Sequence, residues 1–577
     1  MSEYDVLRVR VGRKPVTVVE LDLDYCGNVY GMAPCAAQLG VTGDAKCYNT
    51  FKTCQDRGNF EKRVKTYRLT TQVAPPVGEQ VFPCIESVSM APTKLEMKGL
   101  SLRASVSITC QDFPYHDRGL DPYAKDRPEP QGTFFGKLKK RNPYVVNRPM
   151  RILSSYIGDD GKVYGETHHY LIDSISGPDS NGRVTIKARD GLSLADENKA
   201  QAPRQSSGKL TADVPADAVV LPMYPPGIIN EYPDSGIVRI GDEVLTYSGK
   251  NQNSLTGVQR GQFKTEAVEH SADDKVQLCL QYEKADACDL IAEWLRDYAG
   301  VDTSFIDLDG WREENRTWLG LVKLSGLITE PTGVNKLIEE VQESTGTVVW
   351  WDERAKLIRF KVLQVPLATS PPKEISDRNN ILKGSVKLAE KEQDRVTRVS
   401  LFYHLTRQWD GVKEGNFSAL HVSVNSDAES EFAYNEEKER KVLSRWLSVE
   451  AVAGDIANRL LARFENPNKE VTFRVDAKDA EINTGDMLDL TARMTPNDDG
   501  SDGSIRVLVT ERKEVKTGSH FEYTGYQIGT PGVLARVFAP DDCPDWADAT
   551  PEQRAMYLWF TDDEGKIDGE YVGGVLA

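Results

Sequence analysis

The chain has 577 residues and carries 71 Lys and Arg against 88 Asp and Glu, giving a formal net charge of -17 and a pI near 5.1. That balance excludes a protein that coats nucleic-acid phosphate along its whole surface, which needs a broad basic face. Hydrophobic residues at 39% and charged residues at 28% fit a globular chain long enough for several cores, and no stretch reaches the roughly 18 apolar residues of a membrane-spanning helix.

The N-terminus, MSEYDVLRVRVGRKPVTVVELDLDY, lacks the apolar core of a signal peptide and alternates like a strand. A soluble protein made in the cytoplasm is therefore expected. Four of the nine cysteines follow at once: Cys26, Cys35, Cys47 and Cys54, spaced C-x8-C-x11-C-x6-C. The other five (Cys84, Cys110, Cys279, Cys288 and Cys543) are scattered singly and read as small buried hydrophobes. Further on, HHYLIDSISGPDSNGRVTIKARDG places two alternating runs around Asn181-Gly182, a hairpin signal. A second hairpin is predicted from Val348 to Phe360 about the turn Asp352-Glu353-Arg354-Ala355, and a third alternating region spans 471–528. These patterns predict antiparallel sheets with one wet face.

Helices are few. Leu290, Ile291, Trp294, Leu295 and Tyr298 make one apolar stripe over 285–299. Val334, Leu337, Ile338 and Val341 make another over 332–345, with Gly346 as its stop. Trp446 to Phe464 continues the spacing, and Thr550-Pro551-Glu552-Gln553 reads as the capped start of a short helix. Stretches rich in Pro, Gly, Ser or Asp at 201–227, 366–380 and 496–504 suggest boundaries.

Four thiols so close together clasp a metal centre, pair as disulfides, or sit in a core. In a reducing compartment the first is the more natural. Zinc sites usually bring cysteines in C-x2-4-C pairs on one knuckle. Here each thiolate has its own turn, a spacing that also suits an iron–sulfur cubane with one thiolate per iron. Enzyme signatures do not appear: there is no H-E-x-x-H, G-x-S-x-G, Walker A or dinucleotide fingerprint among the 577 residues. His168 and His169 are adjacent and so point to opposite faces of a strand. Carboxylates are too numerous to single out a pair. The basic run 132–151, with Lys137, Lys139, Lys140, Arg141, Arg148 and Arg151, reads as a solvated loop or subunit contact ahead of a DNA-facing rim.

The block CYNTFKTCQDRGNFEKRVKTYRL resembles the C-x6-C-polar-N-F element of tail-tip hub proteins of siphophages and gene transfer agents. The C-x8-C and C-x6-C pairs resemble the pattern of the lambda-like tail-tip protein L family, although here they come first in the chain. That resemblance implies that Cys26, Cys35, Cys47 and Cys54 hold a [4Fe-4S] cluster, with zinc as the alternative. The stretch 236–278 resembles a β-module of phage hub and fibre-attachment proteins through Ile240, Gly241, Glu243, Leu255, Val258, Arg260, Gly261, Thr265, His270 and Val276. There Arg260-Gly261 is expected to turn tightly and His270 to hydrogen-bond backbone. The helix–hairpin unit of 287–360 and the I-N-x-G-D-M-L element from Ile482 to Leu488 resemble later hub domains.

The implied fold is mainly β with α+β subdomains, a multi-domain β-barrel or sandwich tail hub. It divides into a cysteine-rich cofactor region (1–75) packed on a first β-rich hub domain (76–200), a small β-module (201–282), an α+β domain (283–368), a β-barrel or α+β domain (369–530) and an acidic docking segment (531–577). The implied function is structural and not enzymatic: a homotrimer at the tail tip or baseplate of the virion, closing the tail tube. Implied partners are the distal tail protein, the tape measure protein and the central fibre or tip proteins, with phage DNA passing when the tube opens. Readings from other classes are an iron–sulfur redox protein or metalloenzyme, and a cell-wall-degrading tail protein.

Overall fold

Strand β1 (Pro15–Cys26) shows how the alternating N-terminus folds: Val19, Leu21 and Leu23 enter a core, while Glu20, Asp22 and Asp24 take the other face. Those acids are matched by bases on the neighbouring strands, Glu20 by Arg68 and Arg151, Asp22 by Arg151, and Asp24 by Lys62 and Arg148. In the computed structural model, residues 2–38, 40–44, 46–71, 81–116, 132–367, 370–465, 468–529 and 543–559 are described, together with 537–538, 566–567 and 570–571. The fold is mainly β with α+β regions.

β1 belongs to an eight-stranded sheet with β2 (Lys62–Thr70), β3 (Val81–Phe82), β4 (Ile85–Ala91), β5 (Ser105–Gln111), β6 (Pro149–Ile157), β7 (Val163–Ser176) and β8 (Arg183–Arg189), in the order β3-β2-β1-β6-β7-β8-β5-β4. All pairs are antiparallel except β2 with β3. The β7–β8 hairpin turns where Asn181-Gly182 predicts it, with Gly182 at φ 75°. Because β1 and β2 lie in the same sheet as β4 to β8, the boundary expected near residue 75 does not separate two cores. The strand-like alternation holds only from Pro15: residues before it form helix α1 (Glu3–Val9), started by a capping box between Ser2 and Asp5, and α2 (Phe134–Arg141) buries Phe134, Phe135 and Leu138 against the sheet.

The stretch 369–530 also divides differently from expectation. Strands Lys373–Ser376, Met487–Pro496, Asp502–Lys516, His520–Gln527, Lys469–Asp476 and Lys387–Glu390 form one six-stranded sheet in that order, around its own core. The polar loop 496–504 is the turn of a hairpin within it, not a boundary. The intervening residues fold back onto the preceding α+β domain. Strands Arg398–Leu405, Phe417–Val424 and Glu439–Leu443 and helix Glu450–Phe464 share one core with helices Ala287–Glu293 and Val334–Thr345. Trp294 and Trp446, both fully buried, pack at a tilt across that junction with ring centres 5.5 Å apart. Helix Val334–Thr345 stops at Gly346 in the left-handed region, as its sequence predicts. Helix Ala287–Glu293 passes into a wider π-type turn over 294–298.

The hairpin Thr347–Asp352 and Leu357–Val362 carries its turn into the gap between the two large sheets. There Glu166 of β7 accepts from Arg354 at 2.6 Å and from Arg512 at 3.0 Å, and Arg354 also bonds Asn483. Two further bonds reinforce the seat: the Trp351 indole Nε1 donates to the His169 carbonyl at 3.0 Å, and the His169 N–H donates to the Glu353 carbonyl at 2.8 Å. Burial pushes Glu166 up, but Arg512 and Arg354 outweigh it and hold the carboxyl below its ordinary range. Burial pushes the Glu353 carboxyl up to about 7, and the His168 imidazole, whose Nδ1 lies 4.0 Å from Glu353, down to about 4.

Replacing Glu166 by Gln leaves Arg512, 8% exposed, without its counter-charge. Denaturant unfolding is expected to show a loss on the order of 3 kcal/mol. Glu353 gives a separable pH signature. Its folded value of about 7 lies above the ordinary 4.5, so the fold favours the protonated acid. That stabilisation is full below about pH 4.5 and is lost as pH rises through 7. Glu353→Gln is therefore expected to raise Tm at pH 8 and to leave it near wild type at pH 5, measured by thermal melts across that range.

Candidate functional site

β1 ends on Cys26, which pairs with Lys62 at the start of β2, so residues 27–61 are the connection between two adjacent antiparallel strands. Among the described residues of this connection only Ala37, Cys47 and Thr50 are buried. A lobe with so little apolar burial needs some other source of order. Gly31, at φ 72°, supplies one tight turn before Cys35.

All four sequence-predicted cysteines come together here, and all four are free thiols. Burial pushes the Cys47 thiol up, and Cys54, Cys26 and Cys35 add to it. Cys54 is likewise pushed up by burial and then by Cys26 and Cys35. Cys47 and Cys54 thus each lie within electrostatic reach of the other three thiols, which a spacing of C-x8-C-x11-C-x6-C does not by itself require. Among the described residues, no three of His, Cys, Asp and Glu are grouped as ligands of a single ion. The donor set is all sulfur and comes from separate turns, which fits a soft centre with four separate thiolate positions.

Two further residues, absent from the sequence reading, organise the thiols. Asn49 adopts φ 58°, donates its N–H to Cys47 Sγ at 3.4 Å, and accepts the Cys26 N–H on its carbonyl at 2.7 Å. Asp56 donates its N–H to Cys54, and its Oδ2 accepts the N–H of Ala36, next to Cys35, at 2.8 Å. Asn59 Nδ2 steadies that carboxylate at 3.1 Å. Gln55 Oε1 ties the outer turns by accepting from Tyr30 at 3.2 Å and Thr42 at 2.8 Å. The signal in the sequence was the polar residue two places after Cys47 and again two places after Cys54.

The lobe is anchored by the basic run. This run is not the solvated loop expected from its charge, because Phe134, Phe135 and Leu138 recur at helical spacing and are buried. The C-terminal end of α2 meets the lobe: Thr50 Oγ1 donates to the Arg141 carbonyl at 2.7 Å and Lys52 Nζ to that of Lys140 at 2.9 Å. These bonds satisfy carbonyls a helix end leaves without partners. The Arg141 guanidinium stacks on Tyr48 at 4.1 Å, and Phe51 packs edge-on against Tyr144.

The second block singled out by motif also closes into one unit. Glu243 is 1% exposed and accepts from Arg260 Nε at 2.8 Å and Nη2 at 2.7 Å, from the Gly261 N–H at 2.9 Å, and from the Val268 N–H at 3.2 Å. His270 Nε2 lies 2.8 Å from Glu243 Oε2, so His270 serves a carboxylate rather than backbone as expected. Its ring is 5% exposed on the side chain and has no open face toward a substrate. Thr265 Oγ1 accepts the Val244 N–H at 3.1 Å. Burial raises the Glu243 acid, but Arg260 and the two backbone donors overcome it and keep the carboxyl low. This module is a charge-centred knot, with its small core alongside.

A cleft of about 550 Å³ lies beside helix Leu308–Leu319, lined by Asp286, Asp289, Arg312, Asn315 and Lys323 among others. Two of its acids are paired, Asp286 with Lys323 at 2.5 Å and Asp289 with Arg312 at 2.8 Å. His168 and His169 fall on opposite sides of β7 as predicted, and His168 is buried at the junction with Glu353. No helix among the described residues is long and apolar enough to cross a membrane. Most of the acidic stretch 541–577 lies outside the described residues; its short helix Pro551–Met556 starts with the predicted Thr550–Gln553 capping box.

No protein-family model and no curated protein matches the chain. Among solved structures, the chain is similar to the tail protein from Neisseria meningitidis MC58, at 11% identity and a TM-score of 0.37, covering 77% of this chain and 97% of that one. It is also similar to the 43 kDa tail protein of prophage MuSo2 from Shewanella oneidensis, at 8% identity and a TM-score of 0.36, covering 76% and 94%. A third similarity, to the half-lidded Francisella PdpA–VgrG complex, has 9% identity and a TM-score of 0.35 over 96% of this chain and 61% of that chain. Likeness at these scores assigns neither fold nor function.

The knot predicts a large, local cost. Glu243→Ala removes the counter-charge of Arg260 and the partner of His270, and is expected to destabilise the module by about 3–5 kcal/mol. Proteolysis is expected to cut first within 205–278, while the eight-stranded sheet stays intact.

Proposed function

We propose that this chain is a structural tail-tip or baseplate hub protein of a long-tailed, non-contractile bacteriophage, and that its cysteine lobe holds a [4Fe-4S] cluster. The observation that carries the reading is the convergence of Cys26, Cys35, Cys47 and Cys54, since this block carries the resemblance to tail-tip hubs. The β-module supports it: Glu243, Arg260, Gly261 and His270, matched by motif, meet in one knot. In this reading the chain forms a homotrimeric ring that closes the tail tube in the virion. The distal tail protein and tape measure protein lie on one side and the central fibre or tip proteins on the other, and the ring opens for DNA passage.

The mechanism asks the chain's own residues for rigidity rather than chemistry. The Glu166–Arg354–Arg512 junction locks the N-terminal sheet to the hairpin and to the six-stranded sheet, so a displacement at one is passed to the others. The lobe buries three residues among those described, so metal–thiolate bonds would supply its folding energy directly. A cluster is favoured over zinc because the spacing C-x8-C-x11-C-x6-C brings each thiol from its own turn and offers no C-x2-4-C knuckle.

The test is one anaerobic preparation of the full chain, read two ways. About four iron and four sulfide per chain with a broad absorbance near 400 nm are expected, with trimeric rings in negative-stain images. Stoichiometric zinc overturns the cluster, and a monomer at every concentration assayed overturns the ring.

A further inference from the structure

We infer that Asn49 and Asp56 are the positioning residues of the cysteine quartet, joining Cys26 to Cys47 and Cys35 to Cys54 so that four separate turns present their sulfurs as two braced pairs. This rests on the metal reading above and names residues to which neither motif nor resemblance assigns a role.

The two braces are built alike. Each lies two residues after a cysteine, at Cys47-Tyr48-Asn49 and Cys54-Gln55-Asp56. Each turns its backbone N–H onto the sulfur of its own cysteine: Asn49 reaches Cys47 Sγ at 3.4 Å, and Asp56 bonds Cys54. Each also offers an oxygen to the loop of another cysteine. The Asn49 carbonyl takes the Cys26 N–H at 2.7 Å, and Asp56 Oδ2 takes the N–H of Ala36, beside Cys35, at 2.8 Å. An N–H aimed at a ligand sulfur stabilises negative charge there. In a thiolate-bound centre such bonds raise the reduction potential and fix ligand orientation, as outer-shell partners do at metal sites generally.

The residue types follow from the geometry. Asn49 sits at φ 58°, where Gly is free of strain, Asn is tolerated through its short polar side chain, and Ala is strained. Its position is fixed from the other side, because Tyr48 lies under Arg141 and Thr50 is bonded to the end of α2. Asp56 acts through a side-chain oxygen, so an amide can replace it and a methyl group cannot.

The experiment uses the full chain purified anaerobically, with iron, sulfide and zinc counted per chain and the midpoint potential followed by electron paramagnetic resonance. Asn49→Gly and Asp56→Asn are expected to load like wild type. Asn49→Ala and Asp56→Ala are expected to hold less than half the wild-type metal, with the remaining centre at a lower potential. Far-ultraviolet circular dichroism of all four variants is expected to match wild type, since the lobe lies beyond the core of the sheet. A wild type that binds metal beside Ala variants with equal metal and equal potential overturns the braces alone. Global unfolding of the Ala variants overturns the local role assigned to them. A wild type with neither iron nor zinc overturns the metal reading, and this inference with it.

Discussion

Glu166 is asked to neutralise two arginines that approach it from different parts of the chain, and the relative placement of the major sheets follows from that demand. Arg354 arrives on a hairpin turn and Arg512 on the six-stranded sheet. Removing such charges from water costs several kcal/mol each, and the attraction offsets that cost only when every partner is in place. A small slip of any one element would leave a bare charge in a poorly solvated space. The junction therefore tolerates one arrangement, and the bonds from the Trp351 indole to His169 and from His169 to Glu353 close around it.

The two small units solve the shortage of apolar surface in different ways. The β-module gathers its turns around a single carboxylate that is 1% exposed and accepts five contacts from Arg260, Gly261, Val268 and His270. Charge-assisted bonds are short and directional, so they can fix turns that packing alone would leave loose. The cysteine lobe has no comparable ion. It has four neighbouring thiols, hydrogen bonds of Asn49 and Asp56, and a helix end to lean on.

Much of the architecture was legible because strands announce themselves by alternation. Val19, Leu21 and Leu23 against Glu20, Asp22 and Asp24 is a period of two that marks a strand, here with its charged face covered by Arg68 and Arg151. The turns at Asn181-Gly182 and Asp352 to Ala355, the stop at Gly346 and the box at Thr550 were readable for similar local reasons. What escaped depends on residues distant in sequence. Charge concealed the helix in 132–151, since its apolar face is only Phe134, Phe135 and Leu138. His270 meets Glu243 across 27 positions. The insertion within 369–530 was invisible because strands Lys387–Glu390 and Lys469–Asp476 pair across it. For the candidate site, the four cysteines were plain, whereas Asn49 and Asp56 meet them mostly through backbone groups that leave little mark on composition.

The place where the cysteine lobe leaves the sheet has a mechanical consequence. Its two stems are β1 and β2, antiparallel neighbours in register from Val18 with Thr70 to Cys26 with Lys62, and β1 is paired on its other side to β6. Inter-strand bonds run perpendicular to the strands. A tug on the lobe along the strand axis would draw β1 and β2 together and load the β1–β6 ladder in shear, many bonds straining at once, instead of peeling them open singly. The projection is thus rooted in the direction in which a sheet resists extension most strongly.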